Sequence, residues 1–166
     1  MEKNFEADNA ISKLKELAED IKFCMFATND VEHNLYGRPM TTIQVDEDGT
    51  IWFFTSDNTK VSAEAAGDEK VCLNYANPTT QSYLTVQGTA STVKDKSKMK
   101  ELWNDFLKAY FPDGLDQPDL VLLKVTPQQA HYWDGDASRV VQLFSYLKSK
   151  VTGKTADLGD EGELKL

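Results

Sequence analysis

The strand-like segments of this chain are short, and most follow one another with only a few residues between them. Apolar or alternating stretches occur at 23–28, 38–46, 50–56, 70–76, 81–93, 119–127 and 130–135. Parallel neighbours in a sheet need a crossover of a dozen or more residues, usually a helix. The sequence therefore predicts a mainly β fold, an antiparallel barrel with flanking helices, and not a series of βαβ units.

Helical periodicity predicts two clear helices, over 8–23 and 95–111, and shorter ones over 59–67 and 139–151. In the two clear helices apolar side chains share one face: Ile11, Leu14, Leu17 and Ile21 in the first, and Met99, Leu102, Trp103, Phe106 and Tyr110 in the second. The last stretch, "TGKTADLGDEGELKL", is polar and contains glycine. We expect one domain over residues 1–151 and a polar C-terminal tail over 152–166.

Charge and composition exclude several classes of function. The formal net charge is −9, which opposes a general electrostatic grip on nucleic acid or on an anionic membrane. Cys24 and Cys72 each lie in an apolar stretch, so we expect buried, reduced thiols. With two histidines and no paired ligand spacing, no metal site is expected. The chain shows no signal core and no membrane span, so we expect a cytoplasmic protein.

The stretch "TSDNTK" at 55–60 ends an apolar strand and precedes the predicted short helix. Hydroxyls and a lysine at such a junction can hold a phosphate, because the first amides of a helix lack partners within it. The same residue types also cap helices and fill turns without binding anything. Thr55, Ser56, Thr59 and Lys60 are therefore either an anion site or an ordinary turn.

Arg38 favours the anion site. The acidic turn at 46–49 predicts a hairpin of 38–46 with 50–56, whose paired residues have numbers that sum to about 95. That register places Thr41 opposite Phe54 and Arg38 near Asp57. A guanidinium binds phosphate through two parallel hydrogen bonds. The residues alone still allow both interpretations of 55–60, an anion site and an ordinary turn.

Catalytic side chains are not evident. No glycine-rich phosphate loop is present, and no Ser-His-Asp set follows from order or spacing. His131 stands between apolar and aromatic neighbours, which favours a packed histidine over a general base.

An ordered series of short motifs resembles one family. The series is R-P-M at 38–40, W-F-F-T-S at 52–56, V-x-G-x-A at 86–90, L-W followed by F-P-x-G at 102–114, and Y-W-D-G at 132–135. It resembles the general stress protein 26-like branch of the pyridoxamine-phosphate-oxidase-like flavoproteins, from about residue 8 to the C-terminus. The resemblance implies a split β-barrel of Greek-key type, an FMN cofactor and a homodimer with FMN at the subunit interface.

The same resemblance assigns roles to residues of this chain. It implies that four residues line the flavin and reach its phosphate: Arg38, Pro39, Met40 and Thr41. It implies that four more flank the ring and the ribityl chain: Phe53, Phe54, Thr55 and Ser56. Thr59 and Lys60 are implied to hold the phosphate. Gln81 and Trp133 are implied to reach the site from the other subunit, and no catalytic side chain is identified.

Three functions follow from the resemblance. The first is an FMN-dependent oxidoreductase linked to stress response, whose electron donor and acceptor the sequence does not specify. The second is a flavin-binding stress protein without efficient turnover. The third is pyridoxamine phosphate oxidase itself, which the missing Arg-x-His stretch after Gly135 disfavours. Asp57 is an acid beside the expected phosphate, and its repulsion would weaken FMN if it pointed inward.

Overall fold

A computed structural model describes residues 7–30, 32–64, 69–135 and 160–166. Its helices are α1 (Ala7–Ile21), α2 (Lys60–Glu64) and α3 (Lys96–Leu102), and two 3₁₀ helices follow at Asp105–Ala109 and Gly114–Asp116. Its strands are β1 (Phe23–Asn29), β2 (Leu35–Thr41), β3 (Gln44–Val45), β4 (Ile51–Ser56), β5 (Glu69–Asn77), β6 (Ser82–Val93), β7 (Leu120–Asp134) and β8 (Asp160–Lys165).

All strands belong to one antiparallel sheet in the order β2-β1-β5-β6-β7-β4-β3, and β8 also pairs with β7. The two end strands, β2 and β3, are separated in the chain only by Thr42 and Ile43. The Thr42 amide donates to the Lys22 carbonyl at 2.8 Å, and the Ile43 amide donates to the Trp52 carbonyl at 2.9 Å. The sheet therefore curls into a half-barrel, and the predicted fold class is confirmed.

Strand β7 is one continuous strand, although the sequence predicts two separate stretches, at 119–127 and 130–135. Gly88 pairs with Pro127 and Gln87 pairs with Gln129, so Gln128 is an extra residue in a bulge. Proline has no amide hydrogen for the ladder and is tolerated at such bulges. The main chains approach so closely here that a Cβ on Gly88 would lie 2.2 Å from the Thr126 carbonyl oxygen.

We predict that Gly88→Ala destabilises the fold by about 1–3 kcal/mol or more, because main-chain atoms must shift to admit the methyl group. The midpoint of urea unfolding measures this change. Gly37→Ala is the matched control, since its Cβ would meet only the Met25 methyl at 3.4 Å. That control should stay within about 0.5 kcal/mol of the wild type. Equal stability of the two variants would contradict the close approach.

The barrel interior is closed by α1. Its buried side chains are Ala10, Leu14, Leu17 and Ala18, and they belong to the same core cluster as Phe26, Phe53, Tyr75 and Tyr132. Apolar spacing of about one helical turn puts these α1 residues on one face. Of the four residues predicted for this face, Leu14 and Leu17 are buried, and Ile11 and Ile21 are partly buried. None of the helices in the described part of the chain is long and apolar enough to cross a membrane.

The other face of β4 has a core of its own. Trp52 and Phe54 are buried in a second cluster with Met99, Leu102 and Leu107. Strand β4 is therefore covered on both faces, which explains why "IWFF" is apolar without alternation.

The predicted helix over 95–111 is wrong in its second half. Helix α3 ends at Leu102, because the next residue, Trp103, has an extended backbone (φ −66°, ψ 137°), and a 3₁₀ helix begins at Asp105. The break lets the Trp103 ring pack edge-on against Phe54 at 5.6 Å. Phe106 and Tyr110 are exposed instead of sharing the buried face of Met99, because tertiary packing overrides helical periodicity here.

The two cysteines are free. Cys24 is buried as expected, and burial raises the pKa of its thiol to about 12 despite an opposing hydrogen bond from Tyr75. Cys72 is only half-buried. The Tyr75 hydroxyl also lies 2.7 Å from the Thr42 hydroxyl, so Cys24, Tyr75 and Thr42 form a polar chain inside the barrel.

The end of the predicted polar tail belongs to the sheet. Residues Gln129–Asp134 of β7 pair with β8, and Leu164 is fully buried in the main core. Main-chain pairing and one buried leucine are enough to hold a segment whose composition is that of a loop. The predicted helix over 139–151 and the predicted helix end at Gly67 lie outside the described residues.

Candidate functional site

A cavity of about 470 Å³ opens where β2, β4, α2 and the first 3₁₀ helix meet. It is lined by nine residues that the sequence analysis assigns to a site: Arg38, Pro39, Met40, Thr41, Phe54, Thr55, Ser56, Thr59 and Lys60. Six further residues complete the wall: Phe23, Ile43, Val61, Leu107, Tyr110 and Phe111. The structure thus brings Arg38 and the "TSDNTK" segment to one cavity.

The route by which Arg38 reaches this cavity differs from the predicted one. The predicted hairpin register is close, since Gln44 pairs with Trp52 and Val45 with Ile51, but the pairing ends there. Strand β2 pairs with β1 instead, so Arg38 lies opposite Phe26. Thr41 accordingly pairs with Phe23, not Phe54. The sequence could not show this switch because it depends on main-chain partners distant in the chain.

Arg38 is held by several groups at once. Its Nη1 donates to the Thr28 hydroxyl at 2.6 Å, and its Nη2 donates to Glu64 Oε2 at 3.1 Å. The guanidinium carbon also lies 4.8 Å from the centre of the Tyr36 ring. These contacts fix the direction of the guanidinium, and its side chain is 17% exposed.

Lys60 shares two of these partners. Its Nζ lies 4.7 Å from the centre of the Tyr36 ring and 3.8 Å from Glu64 Oε1. The Lys60 side chain is 58% exposed, so its ammonium is accessible to a ligand. Two cations therefore stand beside one aromatic ring at the polar end of the cavity.

The hydroxyl groups of the cavity are largely engaged within the protein. Thr59 Oγ1 donates to the Ser56 carbonyl at 2.7 Å and accepts from the Ser62 amide at 3.3 Å. Thr55 Oγ1 lies 3.2 Å from Thr59 Oγ1. Hydrogen bonds from Gln117 and from the Ser56 side chain hold the pKa of Asp119 below its ordinary value. Arg38 and Lys60 are thus the groups that distinguish this cavity from an ordinary turn.

Thr59 caps α2, and we predict that Thr59→Ala destabilises the protein by about 0.5–2 kcal/mol, the usual cost of losing such a cap. Thr59→Ser retains the hydroxyl and should recover most of that loss. Thermal unfolding of both variants without added ligand measures the difference. If Thr59→Ala unfolds at the wild-type temperature, the hydrogen bond to the Ser62 amide does not stabilise α2.

Asp57 does not face the cavity. Its carboxylate lies 2.5 Å from Lys94 Nζ, and it is not among the lining residues. The acid that contacts the two cations is Glu64, which the sequence analysis missed. Its spacing of four residues from Lys60 on a helix was the available signal, because such pairs share one face.

Three predicted site residues lie away from this cavity. Phe53 is fully buried in the barrel core, with its ring 5.3 Å from that of Phe26 in an edge contact. Alternation along β4 sends Phe53 and Phe54 to opposite faces, so Phe53 does not line this cavity. Gln81 and Trp133 are exposed outside this cavity. That they reach the flavin site of a second subunit stays a prediction.

The apolar wall was the other part that sequence reasoning missed. Leu107 and Phe111 come from the segment that the sequence predicts as a continuous helix, and Ile43 comes from the switch between β2 and β3. Phe23 precedes a buried Cys24 and is itself exposed. Which side of a strand or 3₁₀ turn faces a cavity is decided by the tertiary arrangement, so no local signal identified this wall.

The lining residues define what the cavity can do chemically. Those that the structure describes include two basic side chains, Arg38 and Lys60, and one phenol, Tyr110, but no histidine, cysteine or carboxylate. No group of His, Cys, Asp and Glu residues in the described ranges could hold a metal ion. The arrangement suits a ligand with an anionic end and an apolar body.

The fold and cavity define a half-barrel protein whose cavity joins a cationic end to an apolar wall. The family model described as pyridoxamine 5'-phosphate oxidase like matches residues 9–157. The chain therefore belongs to the pyridoxamine 5'-phosphate oxidase-like family.

The chain is also similar in sequence to a named protein and in fold to solved structures. Protein bli-3 from Neurospora crassa is 26% identical over 95% of this chain and 80% of its own length. A crystal structure described as general stress protein 26 from Jannaschia sp. CCS1 superposes with a TM-score of 0.80, at 23% identity over 95% of this chain and 99% of its own. The general stress FMN/FAD binding protein from Xanthomonas citri gives a TM-score of 0.67, at 24% identity over 78% and 90%.

Proposed function

We propose that this chain binds FMN in the cavity between β2, β4 and α2 and acts as a flavin-dependent oxidoreductase linked to stress response. The observation that carries the proposal is the convergence of Arg38 and Lys60 on one cavity with an apolar wall. Family membership and a structural neighbour named as an FMN/FAD binding protein support it. The two free cysteines suit a reducing, cytoplasmic compartment.

The residues present fit a flavin mononucleotide. A phosphate monoester carries about −1.5 to −2 charges at neutral pH, which two cations can match within a protein of net charge −9. The cavity volume of about 470 Å³ lies in the usual range of small-molecule sites, roughly 300–1,000 Å³. Arg38 and Lys60 would hold the phosphate, while Phe54, Leu107 and Phe111 would pack on the apolar part.

FMN, when bound, supplies hydride and electron transfer, which the protein's side chains cannot perform themselves. The residues of this chain contribute binding and orientation. Arg38 is held in place by Thr28 and Tyr36, so little side-chain freedom is lost when an anion binds. The apolar wall excludes water from one side of the cavity.

A flavin-binding protein without efficient turnover is the second candidate. It is favoured by the absence of a histidine, cysteine or carboxylate among the described lining residues. Rapid, saturable oxidation of a reduced nicotinamide by the flavin-loaded protein would support the oxidoreductase. Flavin that binds tightly but is reduced no faster than free FMN would support the second candidate.

We predict that Arg38→Ala and Lys60→Ala each weaken FMN binding. Losing a charged hydrogen bond to the phosphate costs about 1.5–3 kcal/mol, or roughly 10- to 150-fold in Kd. Titration of the flavin-free protein with FMN, followed by quenching of flavin fluorescence, gives the affinities. Added FMN should also raise the thermal unfolding temperature of the wild type by mass action.

Lys15→Ala is the matched control for these variants. Lys15 lies on α1 and pairs with the exposed Glu47 at 2.7 Å, and it does not line the cavity. Its FMN affinity should equal that of the wild type. Equal affinities in all three variants would show that the phosphate does not bind at Arg38 and Lys60.

The proposal includes a homodimer with FMN at the subunit interface, to which Gln81 and Trp133 contribute from the other chain. Large exposed apolar side chains support it, including Phe23, Met25 and Trp133, which is 44% exposed. Sedimentation should give twice the chain mass of 18.6 kDa. Trp133→Ala should weaken FMN although Trp133 is outside the cavity of its own chain. A monomer with unchanged FMN affinity for Trp133→Ala excludes this arrangement.

A further inference from the structure

Glu64 places a carboxylate against both cations of the cavity. Its Oε2 accepts hydrogen bonds from Arg38 Nη2 at 3.1 Å and from the Thr28 hydroxyl. Its Oε1 lies 3.8 Å from Lys60 Nζ, too far for a hydrogen bond, and this oxygen is buried without a hydrogen-bond partner. The Glu64 side chain is only 9% exposed, so solvent screens its charge poorly.

The two cations beside Glu64 explain why its carboxylate is stable in a buried position. The Tyr36 ring lies within 4.8 Å of the Arg38 guanidinium carbon and within 4.7 Å of Lys60 Nζ. Two cations beside the same ring repel each other unless a negative charge is close. Glu64 supplies that charge. Its own unpartnered oxygen shows that the arrangement does not satisfy the carboxylate fully.

We infer that Glu64 determines how strongly, and how selectively, the cavity binds a ligand with a phosphate group. Glu64 competes with the ligand for Arg38 and Lys60, and a phosphate can bind only by sharing these cations with the carboxylate or by taking them from it. One carboxylate against two cations leaves a single positive charge in excess, so the cations attract a phosphate less strongly than they would without Glu64. The inference rests on the proposed function, because it concerns the flavin phosphate at the same site.

The substitution Glu64→Gln tests the charge with little change of shape. Glutamine keeps the length and a carbonyl oxygen that can accept from Arg38, but it removes the negative charge. We expect FMN to bind on the order of tenfold more tightly to this variant, since a nearby like charge is lost in a poorly screened site. Riboflavin has the same ring system without the phosphate, and its affinity should change by less than about twofold.

Glu101→Gln is the matched control. It removes the same unit of charge from an exposed glutamate that pairs with Lys98 at 3.1 Å, and Glu101 does not line the cavity. Affinities for both flavins should stay at the wild-type values. Glu64→Met is a second test variant of similar length. It replaces Glu64→Gln in the test if thermal unfolding shows that Glu64→Gln is not folded. We expect Glu64→Met also to bind FMN more tightly while its affinity for riboflavin is unchanged.

The flavin affinities of these variants distinguish a failure of the Glu64 inference from a failure of the proposed FMN binding. Tighter FMN binding with unchanged riboflavin binding supports the inference. It is overturned if FMN binds Glu64→Gln equally well or more weakly than the wild type, because Glu64 then only positions Arg38. Equal tightening of both flavins also overturns it, since the cavity as a whole has then changed. If FMN binds neither the wild type nor any variant, the proposed function itself fails.

Discussion

The half-barrel and its cavity both depend on the change of strand partner at Thr42 and Ile43. The Thr42 amide donates to the carbonyl of Lys22, just before β1, and the Ile43 amide donates to the Trp52 carbonyl of β4. A single extended segment thereby joins the two edges of the sheet, which leaves fewer main-chain groups unpaired. Arg38–Thr41 lie just before this change and Ile43 lies within it. The cavity lies there, between β2, which pairs with β1, and β4, which pairs with β3.

The same arrangement decides the electrostatics of the site. If β2 had continued along β4, Arg38 would have ended near Asp57, whose carboxylate instead pairs with Lys94. Pairing with β1 brings Arg38 against Thr28 and Glu64. A buried ion pair is costly to desolvate and contributes little stability by itself. Its position beside the cavity places a negative charge close to both cations.

The sequence predicted the parts whose signals are local. The apolar spacing of α1, the acidic turn with Gly49 at φ 87° and the antiparallel strands all follow from neighbouring residues. The sequence-based prediction was wrong where contacts between residues distant in the chain determine the structure. Trp103 leaves the helix to pack on Phe54, the β7 bulge accommodates Pro127 against Gly88, and the polar end of the chain pairs with β7.

The sequence by itself determined the fold class, the family and the residue types needed to hold an anion, because periodicity and ordered motifs are properties of the chain. It also grouped Thr55, Ser56, Thr59 and Lys60, which are adjacent in number. Only the tertiary structure decided that Arg38 reaches them through β1, that Phe53 faces the core and that Glu64 contacts both cations. These positions depend on which strands pair and in which register. A one-residue change of register would turn each side chain of a strand to the opposite face of the sheet.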